Sequence, residues 1–177
     1  MAEKLGGSGH VEARDLTPYK VGMIEENIER TGLLNIEAVC QDALVYDEGS
    51  REKADIVIAD LPCSGLGVLG KKTDLKYKAT KQGAAELAQM QREMLDVVCR
   101  YVKSGGKLLY STCTVNPAEN EENVRWFLET HPEFELADLR ECMKQWKPEA
   151  CEELLQAVSE EGWLQLLPGI HKSDGFF

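Results

Sequence analysis

Two short runs, ADIVIAD at 54–60 and KLLYS at 107–111, are apolar without the every-other-residue alternation of a half-exposed strand. Strands that read this way are covered on both faces, the condition of a parallel sheet. Between them, Leu87, Met90, Met94, Val98 and Tyr101 recur at spacings of three and four, which predicts a helix from about Ala84 to Val102, stopped by SGG at 104–106. Two such strands joined by one helix form a right-handed crossover and lie side by side, roughly 4.8 Å apart.

The rest of the chain repeats the alternation. HVEARD (10–15) is a short strand ending in Asp15. Thr17 then serves as N-cap, Pro18 as first helical residue, Val21, Ile24 and Ile28 as the apolar stripe, and Gly32 as terminator. NIEAVCQDA (35–43) holds the next strand, with Asp42 just beyond it. Asn116, Pro117 and Glu119 read as N-cap, first residue and capping-box acid of a helix buried through Val124, Phe127 and Leu128. FELAD (134–138) is a late strand, 148–161 an acidic solvent-facing helix, and WLQLLP (163–168) and DGFF (174–177) the closing strands. Strands alternating with helices specify an α/β fold, a mostly parallel sheet with helices on both faces. A chain of 177 residues is one domain.

Such sheets bind ligands at the carboxyl ends of their strands. ADLPCSGLG (59–67) places Cys63 there, and LLYSTCT places Cys113 at the end of the neighbouring strand. Topology alone therefore predicts two thiols close together at the ligand edge. Asp15, Asp42 and Asp60 each end or closely follow a strand. An acid in that place accepts hydrogen bonds from ribose hydroxyls of a nucleoside cofactor. Aspartate also favours turns and helix caps, and for any one of the three that alternative stands. None of the six cysteines forms a CxxC pair, so neither zinc nor any other metal is expected. Cys40 and Cys99 sit inside apolar-periodic segments and read as buried hydrophobes. A net charge of −11 argues against gripping nucleic acid by bulk electrostatics, although 71–81 carries five lysines against one aspartate. No apolar run reaches the length of a membrane span and no secretory leader is visible, so a cytoplasmic protein without membrane contact is expected.

ADLPCSGLG, YSTCT and the PAENEENV that follows resemble, in order and spacing, the Sun family of RNA (cytosine-5) methyltransferases. KYKATKQGAAELAQMQREML and the closing LLPGIHKSDGFF are similar to that family too, so the likeness covers nearly the whole chain. The resemblance implies a Rossmann-like S-adenosylmethionine-dependent methyltransferase fold. It implies S-adenosylmethionine as cofactor and RNA, ribosomal RNA of the small subunit, as substrate. It assigns Cys113 as nucleophile and Cys63 to release of the methylated product. Asp60 would hold the target cytosine or the methionine end of the cofactor, Asp15 the cofactor ribose and Asp42 its adenine. Pro62 joins the cofactor-binding set, since Pro62, Gly65 and Gly67 shape a tight loop that brings backbone near ligand. Lysines 71, 72, 76, 78 and 81 face either RNA phosphates or solvent.

The chemistry explains these residue types. C5 of cytosine is a poor nucleophile until a thiolate adds to C6 and makes C5 enamine-like, able to attack a sulfonium methyl. An acid near N3 stabilises the electron-rich adduct. A base then removes the C5 proton and the thiolate leaves. A free thiol has a pKa near 8.5, so the site must favour the thiolate. The target base must leave its stack or be single-stranded.

The chain departs from the family in places. The glycine-rich cofactor loop of the form DxCAAPGGKT is absent, as is an N-terminal RNA-binding domain; LPC stands where APC is usual; and the last strand stops early at Phe177. The strand carrying that loop belongs at the centre of the sheet, between those ending near Asp15 and Asp60. Residues 1–177 are therefore expected to form a partial catalytic domain that lacks its first strand, binds S-adenosylmethionine weakly and is inactive alone. Two alternatives remain: a DNA cytosine-5 methyltransferase that uses Cys63 as nucleophile, and a non-enzymatic or partner-completed binding fragment. A nicotinamide oxidoreductase is disfavoured by the lack of GxGxxG.

Overall fold

A computed structural model describes residues 1–72, 74–75, 80–144, 152 and 154–177. The chain divides into two compact units, Met1–Gly49 and Ser50–Phe177.

The first unit is a βαβ crossover. Strand β1 (Val11–Asp15) pairs in parallel with β2 (Ile36–Cys40), in register from Val11 opposite Ile36 to Asp15 opposite Cys40. Helix α1 (Pro18–Thr31) joins them. Its ends are those expected: the Thr17 side chain accepts from the Lys20 N–H, and Gly32, at φ 65°, donates its N–H to the Ile28 and Glu29 carbonyls. Cys40 is exposed, not buried as its apolar context suggests. It is the last residue of β2, and its thiol donates to the Leu16 carbonyl at 3.4 Å.

The second unit contains a longer crossover. Strand β3 (Ala54–Asp60) pairs in parallel with β4 (Val102–Ser111), with Val57 opposite Leu108 and Asp60 opposite Ser111. Helix α2 (Lys81–Val98) connects them, starting three residues earlier than its apolar stripe suggests because Thr80 caps it by accepting from Gly83 N–H at 3.0 Å. The SGG stretch does not stop this helix. A 3-10 turn over Cys99–Tyr101 does, and 104–106 falls inside β4 at an irregularity in the register opposite Ala54–Ile56. Gly105 takes φ 76° there, and a Cβ on Gly106 would lie 3.0 Å from the Asp55 carbonyl oxygen, so the irregularity needs both glycines. Ala59, Leu61, Ala88, Met94, Leu95, Val98, Cys99, Tyr101 and Phe127 form the core.

After β4, Asn116 caps a 3-10 turn (Pro117–Glu119) through its side chain, and α3 (Glu121–Thr130) follows. Residues 134–138 do not form the expected strand. Phe134 instead packs edge-on against Phe127 at 5.2 Å, and Asp138 accepts from the Arg140 N–H to start α4 (Leu139–Lys144), which the sequence pattern had not suggested. Of the acidic helix expected at 148–161, residues 148–151 and 153 lie outside the described residues; 152 and 154–156 are helical, and Val158 already bridges Leu164. The closing segments make single bridges in place of full strands, Leu166 to Phe176 and Pro168 to His171.

The strands thus pair as two parallel two-stranded sheets, β1 with β2 and β3 with β4.

Candidate active site

The second unit carries Cys63 and Cys113. Cys63 follows β3 by three residues and Cys113 follows β4 by two, so the register of Asp60 with Ser111 sets the two loops side by side. Their sulfurs lie 3.2 Å apart. Both residues are half-buried, and both thiols are free. Burial pushes the Cys63 thiol up to about 12, and the hydrogen bond with Cys113 acts in the same direction. Cys63 is therefore a protonated thiol near neutral pH.

Backbone contacts hold the two loops together. Gly67 N–H donates to the Cys113 carbonyl at 3.0 Å, and the hydroxyls of Ser64 and Thr114, one residue past each cysteine, meet at 2.7 Å. The closing DGFF locks both. Gly175 N–H donates to the Gly67 carbonyl at 2.8 Å, and Thr112 and Phe177 exchange backbone bonds at 3.1 and 3.0 Å. Lys71 pairs with Asp174 at 2.5 Å, so this lysine ties the loop after Cys63 to the closing segment. Lys72 and Lys81 are exposed, whereas Lys76 and Lys78 lie outside the described residues.

Beneath the loops lies a buried polar cluster that the sequence reading missed. Glu119, expected to be a capping-box acid, turns away from that role. Its carboxylate accepts from Ser64 N–H at 2.8 Å, from Gln91 Nε2 at 3.1 Å and from Asn116 Nδ2 at 2.9 Å. Gln91 Nε2 also donates to the Pro62 carbonyl at 2.8 Å, so both flanks of Cys63 are anchored. Asn123 Nδ2 donates to Gln91 Oε1 at 2.9 Å, and the Tyr110 hydroxyl donates to the Glu119 carbonyl, with Gln91 Oε1 3.1 Å away. Burial drives the Tyr110 phenol above its usual range, which keeps it a donor. Gln91, Glu119 and Asn123 are each 0% exposed. The signal was present: Gln91 follows Leu87 by four on the buried face of α2, and Asn123 precedes Phe127 by four on α3. A polar residue inside an apolar stripe is a network member until shown otherwise.

The remaining expected site residues are placed as follows. Asp60 is exposed at the end of β3 and receives a long hydrogen bond, 3.4 Å, from the Ser111 hydroxyl. Asp15 and Asp42 belong to the first unit. Asp15 accepts from Thr17 N–H at 3.2 Å and lies 3.6 Å from Lys20 Nζ, while Asp42 accepts from Leu44 N–H at 2.9 Å. Both make the local turns that aspartate favours. Beside Cys63 opens a cleft of about 770 Å³, walled by Ser64 and Leu66 on one side, by Lys81, Ala84 and Leu87 of α2 on the other, and by Asn116. Among the described residues there is no group of three or more metal-ligating side chains, and no helix is long and apolar enough to cross a membrane.

Paired thiols above a sheet edge, one held protonated, can add one sulfur to an electrophilic carbon and steady that sulfur when it leaves. A family model described as 16S rRNA methyltransferase RsmB/F matches residues 1–177. The chain is 38% identical over its whole length to the "Probable ribosomal RNA small subunit methyltransferase B" of Bacillus subtilis, and 34% identical to the ribosomal RNA small subunit methyltransferase F of Cronobacter sakazakii. It spans 38% and 35% of those two proteins. Among solved structures it is similar to NSun6 from Pyrococcus horikoshii with SFG, at a TM-score of 0.74 and 25% identity, covering 99% of this chain and 41% of that one.

Proposed function

The chain belongs to the 16S rRNA methyltransferase RsmB/F family, as its PCSG and STC motifs suggested, and from that premise we propose that it forms part of a catalytic domain moving a methyl group from S-adenosylmethionine to C5 of cytosine in small-subunit ribosomal RNA. The observation that carries this reading is the 3.2 Å separation of Cys63 and Cys113 at the carboxyl ends of paired parallel strands.

Cys113 is the nucleophile, adding its sulfur to C6 of a cytosine that lies out of its stack. Cys63, protonated, donates its S–H toward Cys113. That hydrogen bond would steady the Cys113 sulfur when the C6–S bond breaks after methylation, which is how Cys63 assists release. Asp60, exposed at the end of β3, receives the hydrogen-bonding edge of the cytosine or the amino end of the cofactor. When bound, S-adenosylmethionine supplies an electrophilic methyl on a positive sulfonium.

The residues present fit that cofactor in part. Asp15 and Asp42 offer carboxylate acceptors of the kind that ribose hydroxyls and an adenine amino group require, at the end of β1 and just past β2. Pro62 follows β3 by two residues, and its carbonyl accepts from Gln91 Nε2. A similar structure was solved with SFG, an S-adenosylmethionine analogue. The glycine-rich loop is not among the 177 residues. We therefore expect the chain by itself to bind S-adenosylmethionine weakly and to transfer little methyl. Calorimetry with the cofactor and turnover on an unmodified small-subunit RNA fragment check both, and clear turnover would contradict the second.

The cysteine roles can be tested without methyl transfer. RNA carrying 5-azacytosine, whose C6 accepts a thiolate directly, should form a covalent adduct that maps to Cys113. Cys113→Ser should abolish the adduct. Cys63→Ser should leave it intact and longer-lived. The reverse pattern would assign the nucleophile to Cys63.

A further inference from the structure

We propose that Cys63 and Cys113 are also a modification site: a two-thiol pair that hydroperoxides close into a reversible disulfide. The sulfurs are 3.2 Å apart, about 1.2 Å longer than an S–S bond. The backbones on either side are held next to each other by hydrogen bonds between the two loops. The Cys113 carbonyl accepts from Gly67 N–H, Ser64 meets Thr114 hydroxyl to hydroxyl, and Ser64 N–H is held by Glu119. Both cysteines are half-exposed, so a small oxidant reaches them. Cys40 and Cys142 are more exposed, and Cys99 is buried with its thiol donating to the Asp96 carbonyl. These three provide internal comparisons in the same molecule.

The chemistry balances with a hydroperoxide as oxidant. One thiolate attacks the O–O bond, giving a sulfenic acid and releasing an alcohol, or water when the oxidant is hydrogen peroxide. The second sulfur attacks the sulfenyl sulfur, the S–S bond forms, and the hydroxyl leaves as water with the second thiol's proton. Two electrons pass from the sulfurs to the peroxide. A dithiol reductant reverses the step through a mixed disulfide. The bond itself depends only on geometry. Its consequence, that neither sulfur can then add to a base, rests on the function proposed above.

The test uses the whole chain and hydrogen peroxide. Trypsin releases Cys63 in a peptide of residues 54–71 and Cys113 in a peptide of residues 108–125, each with a single cysteine. The expected result is a cross-link between these two peptides that forms about tenfold faster than any pairing of Cys40 or Cys142, the advantage of two groups already held together. Dithiothreitol should reverse it, and urea should remove the preference. Oxidation of both cysteines without a cross-link, or equal cross-linking to Cys40 and Cys142, would overturn the proposal. A second arm separates the two readings. Oxidised chain should lose its 5-azacytosine adduct and regain it on reduction. If the cross-link forms but the adduct maps to Cys63, the modification site stands and the Cys113 assignment fails.

Discussion

Gly67→Ala is expected to destabilise the chain by on the order of 3 kcal/mol or more, among the largest effects a single methyl can have. A Cβ at Gly67 would lie 2.1 Å from the Gly175 carbonyl oxygen, 2.7 Å from its carbon and 2.8 Å from the Cys113 carbonyl oxygen. All three are backbone atoms, so no side chain can swing aside. The same residue donates to Cys113 and accepts from Gly175, and relieving the overlap breaks one or both bonds. Gly175→Ala meets a related obstacle, with Val115 Cγ1 at 2.6 Å and Gly67 Cα at 2.7 Å. Gly70→Ala is the control, since nothing lies within 4 Å of its Cβ position. Urea denaturation of the three variants should show large losses for the first two and a change within about 0.5 kcal/mol for the third. A Gly67→Ala chain as stable as its parent would mean that the closing segment does not lie against the Cys63 loop.

That contact shows what could be read from sequence and what could not. The uniform apolarity of 54–60 marked the extent of β3, and the capping chemistry of Thr17, Pro18 and Gly32 that of α1, because both signals are local; the covering on both faces that the apolarity implies is not found, since Ile56, Ile58 and Leu109 are 54%, 46% and 46% exposed in the described residues. The meeting of Cys63 with Cys113 was also legible, since a crossover makes neighbours of the strands it connects. What escaped depends on distant chain. DGFF reads as a strand, but its role is to bring Gly175 onto Gly67, a contact across more than a hundred residues that no window of sequence contains. FELAD reads as a strand because Phe134 and Leu136 flank Glu135 at a strand's spacing, yet among the described residues no partner strand takes it up, and Phe134 is used to cover Phe127. Glu119 was misread for a related reason. The capping-box pattern is satisfied by type and spacing, but Ser64 N–H, 55 residues away, is a donor inside the fold that needs an acceptor, and that need wins.

Glu119→Ala should therefore cost about 3 kcal/mol or more, since it leaves the Ser64 N–H, Gln91 Nε2 and Asn116 Nδ2 donors without their shared acceptor at a site sealed from solvent, where each unmet donor costs roughly 1–3 kcal/mol. Gln91 retains another partner, the Pro62 carbonyl, so the full sum is not expected. Glu119→Gln preserves the shape and keeps one acceptor oxygen, but turns an amide N–H toward groups that are themselves donors; a loss of about 1–2 kcal/mol is expected. Stability alone would not show that the carboxylate governs the site. Alkylation does: with Ser64 released, Cys63 in the peptide of residues 54–71 should react faster with iodoacetamide, whereas buried Cys99 should not change under conditions where the chain remains folded. If both thiols accelerate together, the variant has loosened the whole unit. If neither does and the unfolding midpoint stays with the parent, the loop is held by its backbone bonds to Cys113 and Gly175, and the carboxylate is a passenger in the core.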